Sequence, residues 1–226
     1  LWKRLSAHFQ PLITMSEHHT PHMLITSGPT RQYLDPVRFI SNASSGRMGA
    51  AIAQSAIDSG YEVTVISGPV SIAYPDRCRV VNVQTTQEML EAANSVFPNC
   101  DVLVGAAAPS DYMPRAVSND KLKKTGEPIT LHLIETPDII ASLAAKKKSS
   151  QIVIGFALET TDHRFQALRK LEEKCCDYIV LNEPTAMNSE DNSVRIFGES
   201  GEELLSVAGP KSQIADSILK LCATRV

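Results

Sequence analysis

The sequence is poor in the residues that metal sites and histidine-dependent catalysis need. Only His132 and His163, of its six histidines, lie beyond residue 22. Its five cysteines are odd in number and include no Cys-x-x-Cys pair, so a zinc site or a Ser-His-Asp triad has little material to use. The cysteines fit small buried residues in a reducing compartment. They are Cys78, Cys100, Cys175, Cys176 and Cys222.

An excess of charge of one sign and a long apolar run are also missing. The 22 basic and 25 acidic side chains give a net charge of -3, which provides no general attraction to nucleic acid. The longest apolar runs, such as residues 101–108, are far shorter than the roughly 20 residues of a membrane-spanning helix. We therefore expect a cytoplasmic protein with no nucleic-acid or membrane partner.

The length and apolar content of the chain are those of one folded domain. With 226 residues, 43% of them hydrophobic, the chain can bury a core without disulfides or a structural metal. Residues 1–22 show no periodic apolar pattern, so we expect a loosely ordered leader or a cloning remnant there. Residues 23–226 are predicted to form a single nucleotide-binding domain.

Short β-rich runs alternate with helix-length amphipathic segments from residue 23 onward. This pattern predicts an α/β fold: a doubly wound, mostly parallel, Rossmann-like sheet with helices on both faces. The predicted strands are 23–26, 61–66, 80–83, 101–107, 152–156 and 177–181. The predicted helices are 48–59, 85–97, 136–146, 162–174 and one opening at Pro210, with capping by Thr85 and by Thr136-Pro137. A small extended β element is expected in the second half, at 129–133, 194–197 and 203–207.

A glycine-rich segment precedes the first predicted helix. Ser44, Ser45, Gly46 and Gly49 place small residues where a loop becomes a helix, a geometry that presents backbone N–H groups to a phosphate. Either serine could cap the helix or donate to the ligand. The same glycines could instead serve only close packing of helix against strand.

Two features of dinucleotide-dependent reductases are missing. Residues 65–69, at the end of the second predicted strand, supply no acidic side chain for a ribose hydroxyl, and no tyrosine has a lysine four positions later. The phosphate-binding loop is therefore expected to bind a ligand other than a dinucleotide, and an NAD(P)-dependent reductase is the weaker alternative. A nucleotide-binding module without catalytic activity is a third.

Two groups of charged and polar residues are candidates for ligand binding. Arg31, Asp35, Arg38 and Asn42 follow the first strand, near the edge where open α/β sheets bind ligands, and a guanidinium group fits a carboxylate or a phosphate. The long segment 108–128 is typical of a lid or of disorder. Its lysines are Lys121, Lys123 and Lys124, and Lys170 and Lys174 follow on one helix face. Lysines on a mobile loop can neutralise a triphosphate, although each group could also be solvated surface.

Seven motifs follow one another along the chain: ITSGPTR at 25–31, DPVRFISN at 35–42, SSGRMG at 44–49, SDY at 110–112, KLKK at 121–124, PDII at 137–140 and GFALET at 155–160. Together they resemble the phosphopantothenate-cysteine ligases, or phosphopantothenoylcysteine synthetases, of coenzyme A biosynthesis. The resemblance runs from about residue 23 to the C-terminus, and the long first motif is specific.

The resemblance implies a two-step ligation. The carboxylate of 4'-phosphopantothenate attacks the α-phosphate of CTP, with ATP a possible substitute, and the acyl-nucleotide then reacts with L-cysteine. Such chemistry needs positioning and charge neutralisation, with Mg²⁺ on the phosphates, and the sequence does not indicate which residues would ligate the metal.

The resemblance also implies roles for individual residues. Asn42 would hold the acyl-nucleotide, Arg38 would lie on the pantothenate side, and Lys121 would be a mobile catalytic lysine. Lys121, Lys170 and Lys174 would face the phosphates. The other residues expected to bind the nucleotide are Gly46, Gly105, Ala106, Ala107, Asp111, Pro137, Asp138, Ile139, Ile140 and Phe156.

Three departures from the family pattern bear on the local fit of the nucleotide: Ala108-Pro109 before Ser110, Leu158 in place of an alanine, and Glu183 in place of an aspartate. No flavin-dependent decarboxylase precedes the motifs, so a stand-alone ligase with a separate phosphopantothenoylcysteine decarboxylase is expected. We also expect a homodimer, whose contact would use the extended strands around Ile129 and Val194 because they need cover for their apolar face.

Overall fold

The computed structural model describes residues 19–158, 162–182 and 191–223, and its main element is an eight-stranded sheet. Six of these strands are parallel: β1 (His22–Ser27), β4 (Glu62–Ser67), β5 (Arg79–Asn82), β6 (Val102–Gly105), β9 (Ile152–Leu158) and β10 (Tyr178–Asn182). Their order is β5-β4-β1-β6-β9-β10, so the chain builds outward from β1 first on one side and then on the other. The predicted doubly wound sheet is confirmed.

Helices cover both faces of this sheet, as predicted. They are α1 (Arg47–Asp58), α2 (Thr86–Val96), α3 (Ile139–Ala144), α4 (His163–Glu173) and α5 (Lys211–Cys222). Alternate residues of β1 point to opposite faces: Ile25 packs in the core with α1 and α5, whereas Leu24 packs with α2, α3 and α4. Burial on both faces explains why the central strands are continuous apolar runs.

The sheet ends in an antiparallel hairpin made of β11 (Asp191–Gly198) and β12 (Glu203–Pro210), with β11 paired to β10. The strands predicted at 194–197 and 203–207 are therefore confirmed, but the expectation that the strand around Val194 needs cover from a second copy for its apolar face is wrong. Val194 is fully buried and belongs to the same core cluster as Ile214 of α5. The reason is that β10 offered an open edge, and the hairpin continues the sheet there.

Two short antiparallel pairs stand apart from the main sheet. One joins β2 (Arg31–Asp35) to β3 (Arg38–Ser41), and the other joins β7 (Tyr112–Pro114) to β8 (Leu133–Glu135). The prediction of an extended strand at 129–133 is wrong except for its last residue. The ladder ends at the pair of Pro114 and Leu133, and one further backbone bond, from the Arg115 N–H to the His132 carbonyl oxygen at 2.9 Å, follows it.

Helix starts follow local capping chemistry. The Thr85 hydroxyl accepts the Glu88 N–H at 3.1 Å, as the sequence predicts, and opens α2. The prediction that Thr136-Pro137 caps the next helix is wrong, because the cap is Asp138, whose Oδ1 accepts the Ala141 N–H at 3.0 Å. A carboxylate at this position satisfies one of the first N–H groups of the helix.

The cysteines are all free, but only three of them are buried. Burial raises the pKa of the thiols of Cys100, Cys176 and Cys222 to about 12. Cys78 is half-buried and Cys175 is exposed, so the expectation of five buried cysteines is wrong for these two.

Of the leader predicted at 1–22, residues 1–18 lie outside the described part. None of the described helices is long and apolar enough to cross a membrane.

Candidate active site

A cleft of about 750 Å³ opens at the carboxyl ends of the parallel strands. Thr26 of β1, Gly105 of β6 and Phe156 of β9 line it, together with the first residues of α1 and α3. The strand order changes direction between β1 and β6, which is where open α/β sheets bind ligands. The cleft is therefore in the position that the topology favours for a ligand.

The cleft brings together most of the residues that the sequence singled out, although they come from segments far apart in the chain. Those that line it are Asn42, Gly46, Gly105, Ala106, Ala107, Asp111, Pro137, Asp138, Ile139, Ile140, Phe156, Lys170 and Lys174. Arg38 and Lys121 are not among the lining residues.

The glycine-rich turn forms the start of α1 at the edge of the cleft. Gly46 is the N-cap residue, with φ of 75°, and no side chain caps the helix, so neither Ser44 nor Ser45 serves as a cap. A left-handed backbone favours glycine. The first N–H groups of a helix have no partner within it, and here Gly46, Arg47 and Met48 all line the cleft. The turn therefore has the geometry expected for an anion site.

The carboxyl end of β4 is closed by a tyrosine. The Tyr74 hydroxyl lies 2.9 Å from Ser67 Oγ and 2.9 Å from Ser27 Oγ, and both serines are fully buried. The second strand of a dinucleotide-binding fold ends in the acidic residue that binds the ribose. No acidic side chain takes part in this arrangement, and the cleft extends from β1 toward β6, β9 and β10.

Asn42 joins the two loops that border the cleft. It follows β3, and its Nδ2 donates to the carbonyl oxygen of Pro109 at 2.8 Å. Ala108, beside Pro109, donates its N–H to the Gly28 carbonyl at 2.9 Å. The Ala108-Pro109 departure therefore lies in a well-bonded crossing of two loops, and Pro109 supplies the acceptor that orients the Asn42 amide.

The lysines of α4 face the cleft from its far wall. Lys174 Nζ lies 2.9 Å from Asp138 Oδ2, and the Lys174 side chain is 28% exposed. Lys170 lies one turn earlier and also lines the cleft. Two ammonium groups on one wall favour a polyanionic ligand, because the cost of their mutual repulsion falls when phosphate charge lies between them.

Arg38 and Lys121 lie outside the lining of the cleft and are linked through Leu122. Arg38 Nη1 forms an ion pair with Asp35 Oδ2 at 2.9 Å and also donates to the Leu122 carbonyl at 2.9 Å. Lys121, the residue before Leu122, is exposed. Asn42 lines the cleft and Arg38 does not. The two side chains predicted to lie near one ligand therefore do not line the same surface in this conformation.

The carboxylates of the cleft do not form a metal site of their own. Asp111, Glu135 and Asp138 line it, but the described residues contain no group of three His, Cys, Asp or Glu side chains able to hold a metal ion. Mg²⁺ commonly binds through one or two carboxylates and the phosphates of the substrate. The residues present fit a magnesium ion of that kind.

Comparison with known proteins decides the family. The model of the "DNA/pantothenate metabolism flavoprotein C-terminal domain" matches residues 18–225. The chain belongs to this family. It is 39% identical over 208 residues to the coenzyme A biosynthesis bifunctional protein CoaBC of Vibrio vulnificus, covering 89% of this chain and 52% of that protein. The chain thus spans about half the length of the relatives it matches.

Solved structures of the flavoprotein C-terminal domain share this fold. The C-terminal domain of a CoaBC protein superposes with a TM-score of 0.78 at 38% identity, covering 90% of this chain and 94% of that one. A Cab2 variant in complex with phosphopantothenate-cysteine has a TM-score of 0.73 at 17% identity, covering 90% and 87%. The second likeness concerns the fold alone.

Besides Glu135, three polar residues of this flavoprotein C-terminal domain line the cleft without a role predicted from the sequence. Lys211 is the first residue of α5, Asn182 ends β10, and Asn192 Nδ2 donates to Asn182 Oδ1 at 3.1 Å. The sequence did contain one indication of a role for Lys211. A cation in the first turn of a helix interacts unfavourably with the helix dipole, so a lysine there is more often explained by function than by stability. The departure at Leu158 lies in the cleft wall, half-exposed; Glu159, Thr160 and Glu183 lie outside the described residues.

Proposed function

We propose that this chain is a phosphopantothenate-cysteine ligase, which joins 4'-phosphopantothenate to L-cysteine in coenzyme A biosynthesis. The observation that carries the proposal is the cleft itself. A glycine-capped helix start, Asn42 and the lysines of α4 meet at the switch point of the sheet in a chain of this family. The Cab2 structure of the same fold contains phosphopantothenate-cysteine, which is the product of this reaction.

The reaction can be written with balanced bonds. A carboxylate oxygen of 4'-phosphopantothenate attacks the α-phosphorus of the nucleotide, the bond to the bridging oxygen breaks, and pyrophosphate leaves. The amine of cysteine then attacks the acyl carbon, the bond to the phosphate oxygen breaks, and the nucleoside monophosphate leaves as the amine loses a proton. Both steps require orientation and neutralisation of phosphate charge.

The residues of the cleft match these requirements in type. Asn42 would hold the acyl-nucleotide, Lys170 and Lys174 would contact the phosphates, and the turn at Gly46 would supply N–H donors. Lys121 would reach the nucleotide from the rim during the first step. Arg38 engages Asp35 and Leu122 through Nη1, so the N–H groups of its Nε and Nη2 would be the ones to act on the pantothenate side.

We propose CTP as the nucleotide, with ATP as the competing choice, and Mg²⁺ bound chiefly through the phosphates. The cleft has a volume of about 750 Å³, within the range of small-molecule sites. When bound, Mg²⁺ would neutralise the charge that develops on the leaving pyrophosphate. A carboxylate-activating enzyme whose five cysteines are all free fits a reducing, cytoplasmic location, and a decarboxylase specific for phosphopantothenoylcysteine would act next.

We also propose that the protein is a homodimer, with the contact on the two small antiparallel pairs. Large apolar side chains are exposed there, including Phe39 at 41%, Leu133 at 43% and Ile134 at 41%. An isolated two-stranded pair is marginally stable in water, so cover from a second copy would stabilise it. Gel filtration at twice the 24.6 kDa of one chain is expected, and elution near 25 kDa would contradict the proposal.

A pyrophosphate-release assay tests the ligase. With CTP, Mg²⁺ and 4'-phosphopantothenate the protein should release pyrophosphate, and CMP should appear when cysteine is added. ATP, assayed in parallel, decides the nucleotide. Absence of turnover with both nucleotides would refute the proposal, and a thermal shift with NADP but none with CTP would favour the reductase instead.

A further inference from the structure

The carboxylate of Asp35 is fully buried at the tip of the β2–β3 hairpin and accepts four hydrogen bonds. Oδ1 accepts the N–H groups of Val37 and Arg38, both at 2.9 Å. Oδ2 accepts Arg38 Nη1 at 2.9 Å and the N–H of Leu122 at 3.1 Å. Three of these donors belong to the hairpin, and the fourth comes from a segment that is 87 residues away in the sequence.

Leu122 is held at both of its backbone polar groups. Its N–H binds Asp35, and its carbonyl oxygen accepts Arg38 Nη1 at 2.9 Å. A third bond joins the same two parts of the chain, from the Ser118 N–H to the Leu34 carbonyl at 3.0 Å. We call this set of three contacts, made by Asp35 and Arg38 with Leu122 and by Leu34 with Ser118, the hairpin clip.

The clip acts in the middle of an otherwise exposed stretch. Residues 119–121 and 123–133 are all exposed, whereas Leu122 is half-buried. Lys121 directly precedes the clipped residue, so its backbone cannot move far from the hairpin while the clip is formed. Only the side-chain torsions and the short chain from Ser118 to Lys121 then remain to carry its ammonium group toward the cleft.

We propose that Asp35 is a positioning residue which, by clipping Leu122 to the hairpin together with Arg38, fixes the point from which Lys121 reaches the nucleotide. The proposal rests on the role of Lys121 in the proposed function. It also gives Arg38 a task that requires no contact with substrate.

The clip is present at neutral pH because Asp35 is ionised there. Burial alone raises the pKa of the Asp35 carboxyl, but the N–H groups of Val37, Leu122 and Arg38 and the charge of Arg38 outweigh burial, and the pKa lies below its ordinary value. A neutral amide cannot replace the carboxylate, because its single oxygen cannot accept from donors that converge on both positions.

Limited trypsin digestion tests the clip without any enzymatic assay. In Asp35→Asn, cleavage after Lys121, Lys123 and Lys124 should become faster by about tenfold or more, since a hydrogen bond to a charged group is lost. Asp120→Asn is the control for charge: it removes a carboxylate from the lysine-bearing segment outside the clip, and its rate of cleavage after Lys123 and Lys124 should equal that of the parent. Equal rates in Asp35→Asn and the parent would overturn the proposal.

Kinetics with Lys121→Gln test the second part of the proposal, which is that the clip positions Lys121 for the reaction. Asp35→Asn should lower kcat for pyrophosphate release about tenfold with a smaller change in KM, and the loss should vanish in the Lys121→Gln background, because residues that act as a unit are not additive. Additive losses in the double variant would mean that Asp35 supports only the fold, and would overturn the positioning role.

A second variant covers the case in which Asp35→Asn does not fold. Leu122→Pro removes the N–H that Asp35 accepts and leaves the hairpin intact, and it should accelerate cleavage after Lys123 and Lys124 and lower kcat as described; an unchanged digestion rate would overturn the clip. If the parent releases no pyrophosphate from any nucleotide, the proposed function fails, but the digestion results still decide whether the clip exists.

Discussion

The ammonium group of Lys174 lies 2.9 Å from Asp138 Oδ2, and this ion pair joins the end of α4 to the start of α3 across the cleft. The other oxygen of Asp138 caps α3 through the Ala141 N–H at 3.0 Å. Asp138 therefore competes with a phosphate for the lysine that the proposed function assigns to the nucleotide.

Two substitutions of Asp138 separate these roles. Asp138→Asn keeps a good N-cap and releases Lys174, so the KM for the nucleoside triphosphate should fall while the melting temperature changes little. Asp138→Ala also loses the cap and should cost about 1 kcal/mol of unfolding free energy. Steady-state kinetics and thermal unfolding measure both. A higher KM in Asp138→Asn would show that the carboxylate itself binds the nucleotide or its metal.

Lys211, the first residue of α5, should contribute to ligand binding. Lys211→Gln should raise the KM of a phosphorylated substrate about tenfold, because a cation is removed from the cleft. Lys220→Gln, in the exposed last turn of the same helix, is the matched control and should leave KM unchanged. An unchanged KM in Lys211→Gln would remove this lysine from the site.

Asn42 and Lys121 should act on different steps. In Asn42→Asp a carboxylate faces the Pro109 carbonyl that now accepts from the amide, so the residue is displaced and the acyl-nucleotide should form poorly or accumulate without going on to product. Lys121→Gln should depress pyrophosphate release itself. Rapid-quench analysis with mass spectrometry of the intermediate distinguishes the two. Parent-like rates in both variants would refute the two assignments.

Asp35 should contribute stability that depends on pH in the acid range. Its pKa is lower in the folded protein than the ordinary value of 3.8, so the unfolded chain binds a proton first as the pH falls. The contribution is complete above about pH 3.8 and is lost as the pH falls through the folded-state pKa. Urea unfolding should show a gap between the parent and Asp35→Asn at pH 7 that narrows toward pH 3. A constant gap would contradict the lowered pKa.

The α4 lysines and the clip show different degrees of predictability. The resemblance to the family predicted that Lys170 and Lys174 face the phosphates, and their spacing alone predicted that they share a helix face, because this holds for two residues one turn apart whatever surrounds the helix. The partner of Arg38 could not be named in the same way. Its partner Asp35 is only three residues away, so the pair could be expected from the sequence. Its other partner, Leu122, is 84 residues away, and local sequence patterns do not indicate which exposed segment folds over which turn.

Local patterning was enough to predict the six parallel strands and the helices on both faces of the sheet, because periodicity and turn residues report the burial of each segment. The motifs that mark the family were also readable in the sequence. Which distant segments meet became clear only in the folded chain. The tertiary structure placed β11 and β12 on the open edge of β10, brought Lys211 into the cleft, and held Leu122 on the hairpin. The physical reason is that burial and helix or strand period are encoded residue by residue, whereas the pairing of distant backbone and charged groups is settled only when the whole chain is compact.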